Sequence, residues 1–124
     1  MNTKKIGDDG ERRARNYLRL RGYRILKRGY RSSHGEIDII CRRGSQIVFV
    51  EVKSRKTEHA DAFGSGASAV GKQKRERIIF TAKRYINQYP AICENSDFRF
   101  DVIEINRDGK KTYINHIKDA FRIG

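Results

Sequence analysis

Nowhere in this chain do roughly 18 apolar residues run together, the length a membrane-crossing helix needs, and no apolar signal-peptide core follows Met1 to Lys5. The expectation is a soluble, unexported, cytoplasmic protein with no membrane partner. Cysteine is scarce as well. Cys41 and Cys93 stand far apart, without a CxxC pair or a histidine at zinc-ligand spacing, so they read as buried free thiols. Acidic side chains are few beside basic ones: 15 Asp and Glu against 28 Lys and Arg give a formal charge of +13. A field of that sign draws polyanions, and nucleic acid is the expected partner, although an anionic membrane surface or an RNA scaffold would satisfy charge alone.

The 124 residues suffice for one domain with one modest core, spanning 1–124. Six Phe and six Tyr, with many Ile and Val, argue against disorder. Asp8 and Asp9 open a segment in which Glu11, Ala14, Leu18 and Arg21 share a helical face, and Gly22 stops it after about a dozen residues. A strand exposed on one side is expected from Tyr23 to Arg31. Gly35–Cys41 and Gln46–Arg55 read as a central hairpin around a two-residue Gly44-Ser45 turn. A flexible loop rich in Gly, Ser and Ala follows at about 56–70. Beyond it, Arg75, Ile79, Ala82 and Ile86 define a second amphipathic helix from about Gly71, which Pro90 ends. Phe98–Ile105 alternates as a strand, Asp108-Gly109 makes a turn, and Lys111–Ile117 returns beside it.

Alternation puts Glu36 and Asp38 on one face of the first hairpin strand, and Glu51 and Lys53 on one face of the second. With Gly44 and Ser45 as loop residues, Arg43 pairs with Gln46, so Asp38 falls opposite Glu51 and Glu36 opposite Lys53. Ile47 and Phe49 share the face of Glu51 and Lys53, while Val48, Val50 and Val52 make the other face apolar too. A strand apolar on both faces is covered on both sides. Two carboxylates placed together there call for a positive neighbour: Lys53, or a divalent cation, Mg²⁺ being the usual choice beside phosphate. Glu11, near the expected start of the first helix, is by position alone explained better by the helix dipole than by a metal role. Lys72 and Arg75 either project from the start of the second helix to grip a phosphate or belong to a solvated basic surface with Lys74, Arg77, Lys83 and Arg84. Asp101, inside an apolar strand, reads as structural, and no role is assigned to His34, His59 or His116.

Glu11 on a helix, then Gly35-Glu36-Ile37-Asp38, then Val50-Glu51-Val52-Lys53-Ser54-Arg55 resembles the PD-(D/E)xK nuclease pattern found in archaeal Holliday junction resolvases. Gly10-Glu11, GEIDII, FVEVKSR, Lys72-Gln73 and Arg99-Phe100-Asp101-Val102 resemble, more closely, the YraN-like family of small endonuclease-fold proteins over residues 7–105. The resemblance implies an α/β, restriction-endonuclease-like fold, a central mixed β-sheet flanked by helices. It implies Mg²⁺ or Mn²⁺ held by Glu11, Asp38, Glu51 and the Val52 carbonyl, with Lys53 orienting or activating water. Lys72, Gln73, Arg75 and Arg55 become the nucleic-acid contacts. The resulting expectation is a metal-dependent nuclease acting on DNA, including branched or recombination intermediates, and a homodimer by analogy with resolvases. The alternative is a non-catalytic nucleic-acid-binding adaptor on the same scaffold; a basic ribosome-associated protein is a third reading.

Overall fold

The computed structural model describes residues 3–56 and 70–123. Helix α1 (Thr3–Leu20) leads into β1 (Arg24–Arg31), β2 (Glu36–Arg43) and β3 (Gln46–Lys56); α2 (Lys72–Gln88) and the short α3 (Pro90–Cys93) precede β4 (Asp97–Asp108) and β5 (Lys111–Phe121). The sheet order is β1-β2-β3-β4-β5. Neighbours are antiparallel except β3 and β4, which run parallel from Gln46↔Asp97 to Lys56↔Arg107. A parallel pair needs a crossover, and α2 and α3 occur in this one. The architecture is the restriction-endonuclease-like α/β arrangement, a mixed sheet between helical layers.

Two cores explain why β3 is apolar on both sides. Ile47 and Phe49 pack with Ile78, Ala82 and Tyr85 of α2, whereas Val48 and Val50 pack with Ala14 and Leu18 of α1. Cys41 and Cys93 are buried free thiols. No described helix is long and apolar enough to cross a membrane. The loop expected at about 56–70 lies almost wholly outside the described residues.

Helix α1 is longer than the expected dozen residues, at 18, because Gly10 belongs to its interior. A Cβ at Gly10 would overlap Ser54 Oγ, so its absence is what lets the helix lie against β3. The hairpin turn is the expected one: Gly44 has φ 61° and Arg43 pairs with Gln46. At the β4–β5 turn the loop is shifted by one residue, Asp108 pairing with Lys111 around Gly109 at φ 61°.

The largest departure concerns α2. Its buried stripe is Ile78, Thr81, Ala82 and Tyr85, rotated by about one residue from the expected Arg75, Ile79, Ala82 and Ile86. Ile79 and Ile86 become partly buried flanks. The reason is polar. Thr81 Oγ1 donates to Arg77 O at 2.8 Å and meets Ser32 Oγ at 2.7 Å, while Tyr85 stacks edge-on against Tyr30. A satisfied hydroxyl and a large ring thus take the positions that hydropathy alone gives to isoleucine.

Candidate functional site

The β2–β3 ladder follows the expected register from Arg43↔Gln46 to Ile39↔Val50 and there it stops. Beyond this point β2 stays paired with β1 alone: Glu36 faces Arg31 and approaches its guanidinium to 3.6 Å. The expected opposition of Glu36 and Lys53 is therefore not formed. Ile39 joins the α1-side core while Ile37, two residues away, joins the α2-side core, so alternation breaks at Asp38. Gly29 stands across from this break between the Arg28↔Ile39 and Tyr30↔Ile37 pairs. Its φ of 61°, and the 3.2 Å that would separate a Cβ from Glu36 Oε1, require glycine there.

Where the strands part, the Asp38 carboxylate replaces the missing ladder partner: Val52 N–H donates to Asp38 Oδ2 at 2.8 Å. Glu51, next along β3, is only 7% exposed and points to the α2 side, where Lys74 Nζ lies 2.9 Å from its Oε1. Burial, reinforced by the charge of Glu51, pushes the Asp38 carboxyl up to about 7 against the pull of the Val52 N–H; Glu11 and Glu36 add to the rise. Burial also raises Glu11, and Glu36, Asp8 and Glu51 push it further. Burial and the charge of Lys74 hold Lys53 below its ordinary value. Lys74 itself is raised: burial opposes its charge, and the hydrogen bond and charge of Glu51 outweigh that.

Glu11, Asp38 and Glu51 thus lie within electrostatic reach of one another at the end of the β2–β3 ladder, and Lys53 within reach of Asp38 and Glu51. A cleft of about 310 Å³ opens onto it, lined by His34, Gly35, Glu36, Asp38, Glu51, Lys74, Arg77 and Ile78. Lys72 and Gln73 are exposed at the start of α2 and Arg75 is half-buried. The helix residue that reaches the acids is Lys74, one turn before Ile78 on the buried stripe. Its signal was the stripe itself, hidden by the polar Thr81. Arg55 lies 3.7 Å from the buried Glu104.

Asp101 provides an internal comparison. It too captures an N–H released by an irregular ladder, that of Asp119 at 3.0 Å, beside the register shift between Phe100 and Val102. Burial alone would raise its pKa, yet the His116 ring at 2.7 Å and the Arg99 fork at 2.8 and 2.7 Å bring it below the ordinary value. Asp38 forms no ion pair among the described residues. Asp38, half-buried and without an ion-pair partner, is the acid whose chemistry suits an added cation, since carboxylate oxygens are hard ligands. Among the described residues, however, no group of three metal-ligating side chains stands ready-assembled.

The sequence comparisons agree with one another. The model of a family described as Uncharacterised protein family UPF0102 matches residues 10–105. A UPF0102 protein of Clostridioides difficile is 45% identical over 98% of this chain and 100% of its own length. One from Alkaliphilus metalliredigens is 42% identical over 96% and 99%, and one from Vibrio campbellii 39% over 100% and 98%. Full-length matches at this identity, on a fold consistent with the YraN-like resemblance, establish that the chain belongs to the UPF0102 family.

Proposed function

We propose that this protein is a metal-dependent phosphodiesterase of the PD-(D/E)xK type acting in the cytoplasm on DNA, including branched intermediates. The observation that carries the reading is Asp38, a half-buried carboxylate beside the buried Glu51, without an ion-pair partner among the described residues, in a chain of formal charge +13. In this reading Glu11, Asp38, Glu51 and the Val52 carbonyl hold Mg²⁺ or Mn²⁺. The bound cation supplies charge stabilisation to the phosphoryl oxygens and acidifies water. Lys53, held below its ordinary value by burial and by Lys74, would orient the attacking water. The Val52 N–H keeps the Asp38 carboxylate aimed and restricts its rotation. Lys74, now 2.9 Å from Glu51, would be available to a substrate phosphate were Glu51 to hold a cation. Lys72, Gln73, Arg75 and Arg55 contribute outer phosphate contacts, and a homodimer would present two such sites to a two-fold junction. The test is a panel of single-stranded, flapped and four-way DNA with Mg²⁺ and Mn²⁺. Cleavage lost in Glu51→Gln supports the reading; no Glu51-dependent cleavage of any substrate rejects it.

One observation favours a second reading, a non-catalytic nucleic-acid-binding adaptor: the Lys74 ammonium already neutralises Glu51 at 2.9 Å. In that case calorimetry detects no Mg²⁺ or Mn²⁺ binding, even with DNA present, while salt-sensitive DNA affinity persists.

A further inference from the structure

On the other side of the acids, α1 and β1 enclose a groove of about 650 Å³ that includes Glu11, Arg12, Arg15, Arg28 and Gly29 in its walls. Its charges are sorted. Asp9, also in the wall, is taken by Arg12 at 2.7 Å, Arg13 at 3.0 Å and Arg107 at 3.3 Å, and Asp8 lies exposed before it. What remains is an acidic end at Glu11 and a basic end at Arg15 and Arg28. Neither arginine is ion-paired among the described residues, and they are close enough for Arg28 to repel the charge of Arg15, which burial already disfavours. Two guanidinium groups that line one groove, neither taken by a carboxylate in an ion pair among the described residues, form a site for an anion.

Position says which anion. Arg15 follows Glu11 by one helical turn, roughly 5–6 Å between Cβ atoms, which is comparable with the step between successive backbone phosphates. Arg28 precedes Gly29, whose turned backbone faces Glu36 opposite the break at Asp38. The basic end of the groove is therefore adjacent to the acids and in line with them along α1.

We infer that Arg15 and Arg28 clamp a nucleic-acid backbone phosphate beside the acids, making the α1–β1 groove the path of the strand. This rests on the acids being a phosphodiester site, but the binding it predicts requires no cleavage. The test is fluorescence anisotropy of a labelled single-stranded DNA in EDTA across a KCl series. Arg15→Ala/Arg28→Ala should weaken binding more than tenfold at 0.1 M salt and lower the log–log salt slope by about 1.4, two contacts at ~0.7 each for single strands. Arg15→Lys/Arg28→Lys should keep most of the slope. Lys110→Ala/Lys111→Ala, which removes equal charge at the β4–β5 turn, should leave it nearly unchanged. The inference is overturned if the Arg15/Arg28 alanine variant behaves like the Lys110/Lys111 control, or if the lysine variant loses as much as the alanine one. Failure of the DNA panel with intact Arg15- and Arg28-dependent binding rejects the nuclease reading alone; Glu51-dependent cleavage with no Arg15 or Arg28 effect rejects the groove alone.

Discussion

Asp38 and Asp101 perform the same backbone task in opposite electrostatic settings. Each accepts an N–H that an interrupted ladder would leave unpaired, which is why a carboxylate is tolerated in a sheet interior. Asp101 has Arg99 and His116; Asp38 has Glu51, Glu11 and Glu36. Opposite pH dependences follow. The folded Asp38 carboxyl titrates near 7, above its ordinary 3.8, so between those values the metal-free fold binds more protons than the unfolded chain. Its contribution therefore erodes stability as pH rises from about 4 to about 7, with the full penalty above 7. Asp38→Asn should stabilise the metal-free protein at pH 8 by at least about 1 kcal/mol and have little effect at pH 4, read by urea denaturation in EDTA. Asp101 is depressed, so its stabilisation is present above the unfolded pKa and lost as pH falls through the folded one. Asp101→Asn should cost about 3–5 kcal/mol at pH 7, because the Arg99 guanidinium loses its buried counter-charge. Equal losses at both aspartates in the same denaturation assay would contradict this contrast.

At the level of elements, the site depends on how closely α1 approaches β3 and on how α2 is rotated. Gly10→Ala gains helix propensity yet forces the added carbon into Ser54, so a net loss of about 1–3 kcal/mol is expected by thermal denaturation. Ser54→Gly in the same chain should recover part of it. The rotation of α2 makes Lys74 the residue that reaches Glu51, so Lys74→Ala should reduce nuclease activity at least tenfold and Lys72→Ala less than threefold in a single-turnover assay. Much of this was legible beforehand. The Gly44-Ser45 turn set the register as far as Ile39↔Val50, one pair short of the expected Asp38–Glu51 opposition, and the two apolar faces of β3 announced helices on both sides. Two features were not. The parting of β2 from β3 after Ile39 follows from the positive φ at Gly29 and the capture of Val52 N–H by a side chain, and strict alternation cannot anticipate either. The rotation of α2 rests on Thr81 being satisfied by Ser32 and Arg77 from separate segments, a tertiary effect that hydropathy spacing misses.

Across the whole molecule, a formal charge of +13 accompanies a small acidic cluster, and on the proposed reading the two would have complementary tasks: long-range attraction of a polyanion and short-range binding of a cation. The α2-side cleft is lined by Asp38 and Glu51 and the α1–β1 groove by Glu11, so each cavity reaches a different part of the acidic cluster. The central claim is that Asp38 and Glu51 are held together to share a divalent cation. A crystal of the protein soaked in Mn²⁺ tests it most directly by anomalous diffraction. The account predicts one strong peak bridging the Asp38 and Glu51 carboxylates, with Lys74 Nζ displaced from Glu51. Absence of density there at millimolar Mn²⁺, with the Lys74–Glu51 ion pair intact, would contradict it.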